Sequence, residues 1–255
     1  MNTLSNCSSE MITKNDTFTE IISQNKGLSS VLDRFGIGER DYQKTIAEAG
    51  KELNTDPDFM VEIIKAFDED NKPDQKILMK FPIETILDYL RKSHRYYLDK
   101  KLPEIEISLH DIIRRSNQGN NVLYALGNLF IAYKRKLTAH IVSEEEELFS
   151  YIEFLINQLR GDFDYITSKA MLSGFTIQQF EESHTNVEED IKKTRDTIVK
   201  YSPVKTFAMS YRIFLNQLEL FEKDLHRHSI IEDEVLVPKA QRLEQLVKGL
   251  LGKWY

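Results

Sequence analysis

Beyond about residue 80, the 255-residue chain carries four stretches in which apolar residues recur at helical spacing, and glycine and proline almost never interrupt them. They run over 83–116, 122–159, 176–201 and 206–246, with 162–173 as a connection between the second and third. Pro103 is expected to kink or restart the first stretch, and Pro238 to bend the last. Four long amphipathic helices joined by short connections can each bury a stripe only against one another, so an antiparallel four-helix bundle is expected. No stretch alternates as a strand does, and 10 Gly and 6 Pro leave little material for hairpin turns. The fold class read from the sequence is therefore all-α.

The preceding residues have a different texture. Residues 1–16 are polar and are expected to form a disordered tail. Residues 17–70 hold short helices, with apolar positions at Ile21, Ile22, Leu28, Val31, Leu32 and Phe35, and with chain breaks at Gly36 and Gly38. Thr45 and Glu48 have the spacing of a capping box. Asp56 before Pro57 has the form of an N-cap followed by a first-turn proline, opening a helix through Phe67. The charged, proline-marked span 71–80 is expected to be a linker, and 81–255 the bundle.

Composition narrows the function. A net charge of −7 (34 Lys+Arg against 41 Asp+Glu) disfavours nucleic acid as a partner. A single cysteine, Cys7, excludes an intramolecular disulfide and any thiolate-rich zinc or iron–sulfur site built by this chain alone. No apolar run is long enough to span a membrane and no apolar leader is visible, so the expected compartment is the cytoplasm.

The six histidines all lie between positions 94 and 228. Two segments, His140-Ile-Val-Ser-Glu144 and His228-Ser-Ile-Ile-Glu232, place a carboxylate four residues after an imidazole, on the same helix face. With 41 acids in 255 positions, chance alone gives this spacing to about one His in six. Three of the six have it, His184 with Glu188 being the third. A surface His–Glu pair is thus the plain alternative for any one of them. The longer spacing favours a site. His94 precedes His140 by 46 residues, and His184 precedes His228 by 44. Two halves, each with a His on one helix and His-x-x-x-Glu on the next, would converge in a bundle as four imidazoles and two carboxylates. Such a set suits iron, manganese or zinc and could hold two metals, with the glutamates placed to bridge them.

His226 cannot share a face with His228, and Glu232 selects the latter. His110, beyond Pro103, stays open as an extra ligand. Glu145, Glu146, Glu147, Asp233 and Glu234 read as a solvated face, apart from a neighbouring acid that orients a histidine. Tyr97, one turn from His94, is a candidate donor near the site. The ferritin-type pattern of Glu-x-x-His on two helices is absent, as are phosphate-binding, dinucleotide-binding and serine-hydrolase motifs.

The run LRKSHRYYLDKKLPE at 90–104, HIVSEEEELF at 140–149, Glu182-Ser-His184 and HSIIEDEVLVP at 228–238 together resemble hemerythrin-like domains. The nearest likeness is to the iron–sulfur cluster repair di-iron proteins, also described as regulators of cell morphogenesis and nitric oxide signalling. The resemblance covers most of residues 81–245. It implies a hemerythrin-like bundle with a non-haem, oxo- and carboxylate-bridged centre of two iron ions, held by His94, His140, Glu144, His184, His228 and Glu232. It also implies a role in repairing iron–sulfur clusters under oxidative or nitrosative stress, with damaged iron–sulfur proteins as clients, O2 or NO as a small ligand, and a homodimer as one assembly state. Alternatives are an O2- or NO-binding sensor and a metal-free helical interaction protein. Whether the chain is an enzyme stays open.

The leading residues, through Val31-Leu-Asp-Arg-Phe-Gly-Ile37 and Thr45-Ile-Ala-Glu-Ala-Gly-Lys-Glu-Leu53, are similar to that family's small first domain. The family's Cys-Cys-Gly-Gly element is replaced here by Gly38-Glu-Arg-Asp-Tyr42. A thiol-dependent step of that domain has no thiol at this position.

Overall fold

The computed structural model describes residues 12–68, 71–115, 121–161, 164–183, 187–201 and 208–252. The chain divides into two compact units, Met1–Phe81 and Pro82–Tyr255. Among the described residues there is no strand, only an isolated bridge between Thr17 and Thr45.

The first unit is made of short helices, and those that start after Thr17, Thr45, Asp56 and Asp74 begin on side-chain caps. Helix α1 (Phe18–Gln24) starts on Thr17 with Glu20 closing a capping box. Helix α2 spans Ser29–Arg34 and α3 spans Ile46–Glu52, the latter starting on the expected Thr45–Glu48 box. The two caps lie side by side. Phe18 N–H donates to the Lys44 carbonyl and Ile46 N–H to the Asp16 carbonyl, each at 3.2 Å. Helix α4 (Pro57–Phe67) starts on Asp56 with Pro57 in its first turn, and it buries Phe59, Met60, Ile63 and Ile64 against α2 and α3. Gly50 is required by close approach. A Cβ there would come within 2.8 Å of both the Thr55 carbonyl and Pro57 Cγ.

Two expectations about this region need correction. Ile12 is buried, and the Lys14 and Asp16 carbonyls accept from α3, so 12–16 is packed structure. Residues 1–11 lie outside the described residues. The span 71–80 carries helix α5 (Gln75–Leu78), which is capped by Asp74 and packs on α4 through the buried Leu78. The unit therefore runs on to Phe81.

The second unit is the bundle. Its first long helix comprises α6 (Ile83–Tyr96), a π-helical turn π1 (Tyr97–Lys101) and α7 (Leu102–Arg115). The second comprises α8 (Asn121–Ser143), π2 (Glu144–Phe149) and α9 (Ser150–Arg160). The expected connection, read as holding at most a helical turn, contains a ten-residue helix, α10 (Tyr165–Gly174). Asp164 caps it, accepting from the N–H of Ile166 and Thr167. Then come α11 (Ile177–Ser183) and α12 (Glu188–Tyr201). The last helix comprises α13 (Ala208–Ile231), π3 (Glu232–Leu236) and α14 (Val237–Leu251).

Helices α7 and α12 each pack against both α8 and α13, closing a ring of four around Ile105, Phe130, Ile191, Leu218 and Phe221. At the other end α14 packs on α9, α10 and α11. Ion pairs record the antiparallel register. Glu84 meets Arg160 and Glu106 meets Lys134, with one number rising as the other falls. Arg195–Glu222 and Gln241–Glu181 do the same for the other pair of helices. Among the described residues no helix is long and apolar enough to cross a membrane.

Pro103 and Pro238 neither restart nor end their helices. Each stands two residues past a π turn, and that turn closes with an N–H donating five residues back, Leu102 to Tyr97 and Val237 to Glu232. A proline ring needs space in the preceding turn and brings no donor, and a widened turn accommodates both.

Candidate metal centre

Four buried side chains meet between three of the long helices: His94 from α6, Glu144 from π2, His228 from α13 and Glu232 from π3. One ligand atom from each lies within 4.8 Å of all the others. Their exposures are 2%, 2%, 4% and 2%. The Nε2 atoms of His94 and His228 are 3.1 Å apart. His94 Nε2 is 3.3 Å from Glu144 Oε2, and His228 Nε2 is 3.6 Å from Glu232 Oε2. His140, one turn before Glu144 on α8, places Nε2 2.6 Å from Glu144 Oε1. Glu144 thus has a histidine at each oxygen, as a bridging carboxylate would. His184 lies outside the described residues, as does Cys7.

π turns accompany all three elements that supply these groups. Glu144 is the first residue of π2 and Glu232 the first of π3, while π1 begins three residues after His94. Such turns recur at functional sites because they shift the residues that follow relative to the α-helical repeat. In π2, the Ser150 hydroxyl donates to the Glu145 carbonyl at 3.0 Å, partnering a backbone oxygen within the widened turn.

The surroundings hold the imidazoles in place. His94 stacks on Phe149, the ring planes 3° apart and the centroids 5.2 Å apart. Its Nδ1 is 2.9 Å from Glu145 Oε1, and Arg91 Nε donates to the other Glu145 oxygen at 3.2 Å. Arg91 also pairs with Glu153. Tyr97 and His228 meet in a T-shaped arrangement, ring centroids 5.5 Å apart, and Tyr97 donates its hydroxyl to Asp224 Oδ1 at 2.5 Å. Burial alone would pull the His94 pKa down. The hydrogen bonds and charges of Glu144 and Glu145 outweigh it, leaving the imidazole above the usual histidine value. A proton or a cation thus answers the same local excess of negative charge.

The donor set fits a metal. Two imidazole nitrogens and two carboxylates converge in an interior where uncompensated carboxylates are costly, and a cation matches that chemistry better than neutral packing does. Glu144, His228 and Glu232 are buried and His140 is only 11% exposed, which overturns the reading of these pairs as surface ion pairs. His110 is 69% exposed and faces Glu106 at 4.0 Å, so it is not an extra ligand. His226 is exposed. Glu145 is the acid that sequence reasoning allowed only as an exception. Asp224 was missed, although it sits four residues before His228 and so shares its face.

Beside His94 a pocket of about 340 Å³ opens between α6 and α8, lined by Arg91, Arg95, Leu98, Ile141, Val142 and Glu145 among others.

Fold and site together define an all-helical bundle with a buried His–Glu group that can hold a metal ion. Along 90% of its length, over 234 residues, the chain is 20% identical to the iron–sulfur cluster repair protein ScdA of Staphylococcus haemolyticus (strain JCSC1435), and the match covers 99% of that protein. That likeness is to the same kind of repair protein that the motifs resemble, and it is longer than the bundle unit alone could supply. No family model matches the chain.

Proposed function

We propose that the chain holds two non-haem iron ions in a carboxylate-bridged centre and acts in the repair of iron–sulfur clusters damaged by oxidative or nitrosative stress. The observation that carries this reading is the convergence of His94, Glu144, His228 and Glu232 within 4.8 Å, with His140 on the second oxygen of Glu144. The likeness to a cluster repair protein along nearly the whole chain supports the cellular role. His94, His140, Glu144, His184, His228 and Glu232 would hold the ions, with the two glutamates as bridges. Bound iron would supply redox and ligand-exchange chemistry. The chain does the rest. Its helices fix the donor geometry, Phe149 and Glu145 orient one imidazole, Tyr97 packs against another, and the apolar core around them limits water.

Damaged iron–sulfur proteins are the proposed clients and the cytoplasm the proposed compartment. Anaerobic reconstitution followed by metal analysis and an absorption spectrum tests the centre. About two irons per chain are expected, and fewer than about one would overturn it. Restoration of a damaged cluster in a client protein tests the role.

The pocket beside His94 favours a second reading, an O2- or NO-binding sensor. Gas titration run alongside the cluster-restoration assay separates the two.

A further inference from the structure

We infer that Glu145, held by Arg91, is a positioning residue that fixes His94 as the tautomer protonated at Nδ1, so that the Nε2 lone pair points into the metal-binding group. The inference rests on the metal-site reading above, and it concerns a residue outside the six-ligand set. Glu145 follows the bridging candidate Glu144 directly, yet the two carboxylates face different atoms of one ring. Glu144 lies 3.3 Å from Nε2, and Glu145 lies 2.9 Å from Nδ1. An imidazole that donates from one nitrogen presents a lone pair at the other, and a carboxylate on the far nitrogen decides which is which. Arg91 makes the arrangement rigid. It donates to Glu145 at 3.2 Å, pairs with Glu153 one helix away, and lies 5.7 Å from the centroid of the Phe149 ring on which His94 stacks. The stack fixes the ring plane, and Glu145 fixes its direction within that plane. Glu145 and Arg91 line the same pocket as His94.

The test uses the full chain in two forms. In the metal-free protein with 15N-labelled histidine, nitrogen chemical shifts followed upward in pH until the His94 ring has lost its second proton report its tautomer. The wild type is expected to be protonated at Nδ1. Glu145→Ala is expected to lose that preference, Glu145→Gln to keep it through its amide oxygen, and Arg91→Met to weaken it. The Glu147→Gln variant, at an exposed neighbouring acid, is expected to match the wild type. With cobalt(II) as the probe, Glu145→Ala should bind about 10- to 100-fold more weakly than wild type, with partial recovery in Glu145→Gln. An unchanged His94 tautomer in Glu145→Ala overturns the inference, as does wild-type cobalt affinity in that variant. If the wild type itself takes up neither cobalt nor iron, the metal reading fails, and the tautomer shifts still decide the role of Glu145. Glu145 is part-exposed, so its truncation empties no core. Far-ultraviolet circular dichroism and thermal melting of each variant separate misfolding from lost positioning.

Discussion

Glutamate is put to opposite uses in the two units. In the first, Glu20 and Glu48 stay in solvent and close capping boxes, each accepting from the backbone N–H and the hydroxyl of the threonine three residues before it. In the bundle, Glu144 and Glu232 are turned inward among histidines. The exposed pair stabilises its helices locally and needs nothing more. The buried pair is costly unless a proton or cation answers it, so it points to a function beyond stability. Identical side chains thus read as architecture or as chemistry according to burial, which the sequence does not state outright.

The largest expected effect on this contrast comes from metal. Iron(II) supplied at about a thousandfold over its dissociation constant adds about 4 kcal/mol to the folded state, which raises the bundle's melting temperature by about 10 °C. Calorimetry with and without chelator should show that shift, and amide exchange over residues 18–67 should not change. Next, Gly50→Ala drives a Cβ to 2.8 Å from the Thr55 carbonyl. A loss of about 2 kcal/mol, read by exchange in the first unit while metal content in the bundle stays constant, is expected. Tyr97→Phe removes the hydroxyl that donates to the buried Asp224 and should cost about 1–2 kcal/mol in urea unfolding of the bundle.

The smallest effect belongs to the caps. Thr45→Ala should cost about 1 kcal/mol, confined to the first unit. Hydrogen bonds from Thr17 and Thr45, those from the backbone first, hold Glu20 and Glu48 below the ordinary glutamate value of 4.5. A carboxylate whose folded pKa is depressed contributes stability that is present above its unfolded value and is lost as pH falls through the folded one. Protection factors for exchange in α1 and α3 should therefore fall below pH 4.5, and Glu48→Gln should flatten that dependence in α3. An unflattened dependence would show the Glu48 cap to be energetically idle.

Much of this contrast was legible beforehand. The Thr45–Glu48 box and the Asp56–Pro57 helix start are local patterns with local causes, and both appear as read. The four long helices followed from periodicity, and the described ligand candidates His94, His140, Glu144, His228 and Glu232 from i, i+4 spacing or its longer echo. The rest depended on tertiary geometry. Glu145–Glu147 read as a solvated face beside the ligand candidate Glu144, yet within the π turn Glu144 meets Nε2 and Glu145 meets Nδ1 of His94. Helix α10 was hidden because its apolar residues, Ile166 and Met171 among them, stay exposed and give no buried stripe. The span 71–80 looked like a linker from its charges, and the burial of Pro73 and Leu78 marks it as packed.

The three π turns give the bundle a seam. Each is a local departure from the 3.6-residue repeat, so a heptad phase read at one end of a long helix does not carry through to the other. Removing one residue from π2 would restore an unbroken α-helix and swing all of α9 by about 100° about its axis. The ends on either side of the seam are therefore set to independent phases, as two shafts are by a coupling. One end can drift in sequence, or be rebuilt with a different core, without altering the phase of the other, provided that the seam and the side chains it carries are left alone.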